Sequence, residues 1–142
     1  MRLSLKNACF VSRPAASNSA LRSPNVYGVL RALIARAICG AGLHFSFGLH
    51  HHNRYDAFAL ADDLMEPFRP IVDEAVAEWV AEHGPAAPLD RAAKAALVSA
   101  LLDRRFRWKD AERTLFDVAV RMAASVAGCL GGKRSKLLLP DA

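Results

Sequence analysis

Three consecutive histidines, His50, His51 and His52, precede Asp62, Asp63 and Glu66 by ten to sixteen residues. This is the densest group of metal-ligand side chains in the chain. Asp62 and Glu66 are four residues apart and Asp63 and Glu66 three, and on a helix both spacings place side chains on one face. Carboxylates so close repel unless a cation or water lies between them. A divalent ion with oxygen ligands, completed by an imidazole from the preceding loop, would relieve that repulsion. Mixed imidazole and carboxylate donors suit manganese or magnesium better than structural zinc. Two plainer readings stand beside it: solvated loop histidines, and an acidic first turn favoured by the helix dipole. HExxH, P-loop, GxGxxG and GxSxG motifs are all missing from the sequence.

A second chemistry is available to the basic residues. Arg104, Arg105, Arg107 and Lys109 alternate with Phe106 and Trp108, and Lys133, Arg134 and Lys136 follow a pair of glycines. Arg104, Arg105, Lys133 and Arg134 are therefore candidates for phosphate contacts on a nucleic acid. The alternative for 104–109 is a charged connector with both aromatics turned inward. Charge is partitioned along the chain. Residues 1–55 hold seven Lys/Arg and no acid, residues 56–90 nine acids and one arginine, and residues 91–142 eleven basic residues against five acids. An acidic island between basic flanks fits a polyanion held around a metal, and equally an ordinary solvated surface.

These groups need a scaffold, and 142 residues, 53% of them hydrophobic, suffice for one domain with its own core. No apolar run approaches the ~20 residues that span a bilayer, so a soluble protein is expected. Cys9, Cys39 and Cys129 are widely separated and lack CxxC spacing, which fits a reducing compartment and small buried apolar side chains rather than disulfides. Residues 1–18 form no periodic pattern and read as a disordered leader. Residues 25–42 carry Val26, Val29, Leu30, Leu33, Ile34, Ala37 and Ile38 at helical steps, with Arg31 and Arg36 off the stripe. Residues 43–55 read as a loop, with Phe45 and Phe47 assigned to core packing. A helix follows to about Met65, broken by Pro67 and Pro70 and resumed over 71–81. Asp90 is placed as the N-cap of a helix over 91–102. Residues 103–110 read as a short connection, and a last helix is expected over 111–130. Strand signals are nearly absent, so the fold class is all-α.

The segment GLHHHNRYDAFALADDLMEPFRPIVDEAV, residues 48–76, resembles the active-site segment of the CRISPR-associated spacer-acquisition endonuclease and integrase family, Cas-one, and most closely its type II-like branch. The preceding VLRALIARAICGAGLH is similar to that family's helix before the histidine loop, and residues 113–142 to its C-terminal helix and basic tail. The resemblance covers residues 19–142. It implies an incomplete helical C-terminal catalytic domain without the family's N-terminal β domain. It implies a metal-dependent DNA endonuclease and integrase of antiviral defence, acting by phosphoryl transfer with Mg2+ or Mn2+. His51, three residues after Gly48, and Glu66 correspond to the family's catalytic metal ligands, with Asp63 as a supporting carboxylate. A first metal-binding Glu has no counterpart, because no acid precedes Asp56. The resemblance thus implies an N-terminally truncated chain of reduced metal affinity and activity, with apolar helix faces left uncovered. The implied partners are DNA, a second copy and the small ferredoxin-like Cas-two companion, in the cytoplasm of a prokaryote and away from membranes. The alternative is a non-catalytic basic helical DNA-binding remnant, or an inert product.

Overall fold

The structure is a computed structural model, and it describes residues 24–50, 53, 55–84, 88, 90–109 and 111–140. The expected leader lies outside the described residues.

Helix α1 spans Pro24–Gly40. Val26, Leu30, Ile34 and Ile38 recur every four residues and are all buried, so most of the stripe read from the sequence is turned to the core, whereas Val29, at its edge, is exposed. The helix stops in a Schellman arrangement. Leu43 N–H donates to the Ile38 carbonyl at 3.1 Å and Gly42 N–H to that of Cys39 at 3.0 Å. Gly42 sits at φ +76°, where a side chain would be strained. The chain then enters the histidine loop. Phe45 anchors it, stacking on Phe58 with centroids 4.9 Å apart, and the Phe45 carbonyl accepts from Leu60 N–H at 2.8 Å.

Helix α2 is short, Ala59–Met65. A 3-10 turn over Glu66–Phe68 follows, and then α3 over Arg69–His83. Pro67 and Pro70 account for the interruption, since each lacks the N–H that a continuous helix would use. Phe68 in this turn is fully buried and meets Phe106 edge-on, at 5.6 Å and 82°. Helix α4 spans Arg91–Asp103 and is capped as expected, the Asp90 carboxylate accepting from Ala93 N–H at 2.8 Å.

The expected connection over 103–110 is instead the start of a hairpin. Strand β1, Arg105–Trp108, pairs antiparallel with β2, Ala111–Thr114, with Arg105 opposite Thr114 and Trp108 opposite Ala111. Phe106 and Trp108 are buried while Arg105 and Arg107 are exposed. That two-residue alternation is the strand period. The last helix, α5, accordingly begins at Leu115 rather than at residue 111, and spans Leu115–Leu130. Thr114 sets its start, its hydroxyl accepting from Asp117 N–H at 3.3 Å.

Among the described residues the architecture is otherwise all-helical. Helix α1 packs against α5 and α2, α3 packs against α4, and the hairpin lies on α5. Val118, Met122 and Val126 of α5 meet the α1 stripe in one continuous core. On the outer side of the α1–α5 pair, Val29, Phe116 and Val120 are each about two-fifths exposed. Cys129 is buried but Cys39 is exposed, contrary to its expected burial, because it lies one residue past buried Ile38, on the side of the last turn of α1 that faces away from the core. Cys9 lies outside the described residues. Among them, no helix is long and apolar enough to cross a membrane.

Candidate functional site

The three acids of the α2 region, expected on one face, hold three different partners. Asp62 is 7% exposed. Its two oxygens face the Arg31 guanidinium of α1, Nε to Oδ1 at 2.7 Å and Nη2 to Oδ2 at 3.0 Å. This two-pronged geometry is the strong form of an arginine–carboxylate pair. Asp63 points to the histidine loop. Its Oδ2 accepts the backbone N–H of Leu49 at 2.5 Å and of His50 at 2.9 Å. Glu66 lies at the start of the 3-10 turn with its side chain half exposed, and pairs with Arg69 Nε at 2.8 Å. The repulsion inferred from spacing is thus met by a guanidinium, two peptide N–H groups and a second guanidinium.

His51, His52 and Arg54 lie outside the described residues, and so does the expected pairing of His51 with Glu66. His50 is described and exposed. Earlier in the loop, His44 stacks on Phe45 at 4.9 Å, and its Nδ1 lies 2.6 Å from Ser46 Oγ. Phe47, expected in the core with Phe45, is 75% exposed. Phe45 already fills the space over Phe58, and a loop without a period gives its second aromatic no second apolar wall. Among the described residues no group of three His, Cys, Asp or Glu side chains could enclose a metal ion.

Arg31 was missed as a structural partner. The signal was present: Asp62 stands between Ala61 and Leu64 in an apolar stretch, and a buried acid requires a cation. Arg31 comes one residue after buried Leu30, at the border of the packed face of α1, with its side chain 42% exposed.

The basic candidates divide. Arg104 pairs with Glu74 of α3, Nη2 to Oε2 at 2.6 Å, whereas Arg105 is exposed on the outer face of the hairpin. Lys133 and Arg134 are exposed on an ordered turn after α5. Their N–H groups both donate to the Gly128 carbonyl, at 2.9 and 3.1 Å, and Gly132 takes φ +71°. Arg134 lays its alkyl stem over Gly128, where an added Cβ would stand 3.0 Å from Arg134 Cδ. Beyond the turn, Leu138 N–H donates to the buried Ser125 hydroxyl at 2.8 Å. Both ends of the basic strip are therefore fastened to α5.

Comparison with known proteins bears on this region. The family model "CRISPR associated protein Cas1" matches residues 25–86, which run from α1 through the histidine loop and α2 to the end of α3. A curated relative, the CRISPR-associated endonuclease Cas1 of Neisseria meningitidis serogroup C (strain 8013), is 45% identical over 47 residues, or 33% of this chain and 16% of the relative. Among solved structures, a casposase bound to integration product matches with a TM-score of 0.68 and 28% identity, over 79% of this chain and 35% of that one. The chain therefore spans about a sixth of the curated relative and about a third of the casposase. Residues 25–86, from α1 through the histidine loop to α3, are thus similar to the Cas1 family model, and the fold is similar to that of the casposase.

Proposed function

We propose that this chain is the helical C-terminal part of a DNA nuclease and integrase of CRISPR spacer acquisition, of the type II-like branch, with His51 and Glu66 as its divalent-metal ligands. The observation that carries this reading is that the Cas1 match includes both residues, while Asp63 ties the loop leading to His51 onto the helix leading to Glu66.

The donor chemistry fits a hard divalent ion in kind. Glu66 is an oxygen donor whose only described ion pair, with Arg69, is solvent-exposed. Such a pair is worth little and exchanges readily. Mg2+ or Mn2+, when bound, would supply charge neutralisation at a DNA phosphodiester during phosphoryl transfer. The chain itself supplies the ligands His51 and Glu66, and a loop entry fixed by Asp63. In this reading the family's second copy and Cas-two companion complete the assembly. The test is Mn2+ titration of the 142-residue chain. Glu66→Gln is expected to weaken binding about tenfold or more, and identical isotherms for wild type and variant would overturn the assignment.

A second reading is favoured by the pinned basic strip: DNA binding without catalysis. Lys133, Arg134 and Arg105 would contact phosphates. Binding measured in EDTA should weaken with salt, with a log–log slope of about −0.9 per phosphate contacted. The Lys133→Ala/Arg134→Ala double variant should reduce that slope by about two units. Salt-independent binding, or a slope unmoved by the double variant, would refute it.

A further inference from the structure

Asp117, Arg121, Ser125 and Gly128 follow one another at steps of four, four and three residues, so they stand in one row along α5. Phe116 and Val120, one position earlier in each case, point about 100° away, onto the apolar side beside Arg36. The row gathers basic groups from three parts of the chain. Arg121 belongs to α5 itself, and its Nε donates to Asp117 Oδ1 at 3.1 Å. Arg113 arrives from β2, with Nη1 3.3 Å from Asp117 Oδ2. Further along, Arg134 lays its stem over Gly128, and the strip that carries it and Lys133 is tied to Ser125 through Leu138 N–H.

Two guanidiniums therefore share one carboxylate. Arginines grip a phosphate in the same way, and here a carboxylate stands in its place. The donors are not used up, because Arg113 Nε is buried and has no hydrogen-bond acceptor among the described residues. Arg113, Asp117 and Arg121 keep 34–40% of their side chains exposed, so these contacts are worth little against a competing anion. Arg113, Arg121 and Arg134 also set three cations against the single acid of the row.

We propose that this flank of α5 is a track for a nucleic-acid backbone: Arg113 and Arg121 form a phosphate seat that Asp117 fills in the free chain, and Arg134 and Lys133 continue it. The inference rests on the DNA-binding reading above and adds a second group of contacts to it. From 117 to 128 the row rises about 16 Å, which matches about five phosphate steps of a duplex strand.

The test is titration of a duplex of ~20 base pairs, longer than the track, with the 142-residue chain in EDTA. Asp117→Asn is expected to tighten binding by about threefold, the scale of an exposed ion pair. Arg121→Gln should weaken binding and lower the log–log salt slope by about one unit. Arg36→Gln removes the same charge from the other side of α5 and should leave the slope as it is. Unchanged or weaker binding by a folded Asp117→Asn chain would overturn the proposal. So would equal slopes for Arg121→Gln and Arg36→Gln, which mark bulk charge alone, and that comparison still decides if Asp117→Asn does not fold. Phosphatidylserine vesicles bound as tightly as the duplex would assign the flank to a lipid surface instead. A slope lowered by Lys133→Ala/Arg134→Ala but not by Arg121→Gln sinks the track alone. A slope that neither variant moves sinks the DNA-binding reading with it.

Discussion

Replacing Phe68 with alanine is expected to lower the unfolding free energy by about 4 kcal/mol, within the range measured for large-to-small changes at fully buried aromatic positions. Phe68 has no exposed surface, and its ring meets Phe106 edge-on. It belongs to the same 3-10 turn as Glu66 and joins that turn to β1. Its removal leaves a cavity between α2, α3 and the hairpin that a turn containing Pro67 is poorly able to close. A single domain has only ~5–15 kcal/mol to lose, so this variant should sit near the limit of folding. Urea denaturation followed by far-UV circular dichroism measures the effect. Phe68→Leu should cost less than half as much, and Phe47→Ala, at an exposed ring, should change stability by no more than about 0.5 kcal/mol. A Phe68→Ala cost below about 1 kcal/mol would contradict the packing described.

Arg31→Ala should cost about 2 kcal/mol, because it strands the Asp62 carboxylate in a nearly closed site. The estimate lies below that for a fully buried pair, since the Arg31 side chain is 42% exposed. The comparison that isolates the cause is Arg31→Met/Asp62→Leu, which removes both charges and should recover most of the loss. If the double variant is as unstable as Arg31→Ala, the loss comes from arginine packing, which includes its approach to the Phe58 ring at 5.7 Å. Salt gives a second check. The shielded Arg31–Asp62 contribution should survive 0.5 M NaCl. The more exposed contacts of Asp117 with Arg113 and Arg121 should weaken there, as surface charges do beyond a Debye length of a few ångströms.

The helices were legible where one face repeats. The stripe Val26, Leu30, Ile34, Ile38 announces α1, Asp90 announces the start of α4, and the prolines at 67 and 70 announce the break between α2 and α3. The hairpin was not read, although its alternation is present in RFRW. Four residues give a short signal, and four basic residues clustered over 104–109 suggest a solvated connector as readily as a strand whose alternate side chains are solvated. The helix start at residue 111 failed for a related reason. Alternating exposure continues through Ala111–Thr114, and only Thr114 carries a cap. At the site, residue types and spacing identified the acids but not their directions. Neighbours on a helix differ by about 100°, so Asp62 faces α1 while Asp63 faces the loop. Which of two adjacent acids is buried depends on where Arg31 arrives from thirty-one residues away, and spacing within α2 carries no record of that.

The strip from Lys133 to Lys136 is held like a bridge between two piers, with the Gly128 carbonyl at one end and the Ser125 hydroxyl at the other. Immobilising a backbone costs about 1–2 kcal/mol per residue, and here that cost is met when the chain folds. A phosphate chain laid along the strip would have only side-chain rotamers left to freeze. Cutting the Ser125 tether would therefore leave the strip's charge unchanged while handing the entropy cost back to each binding event.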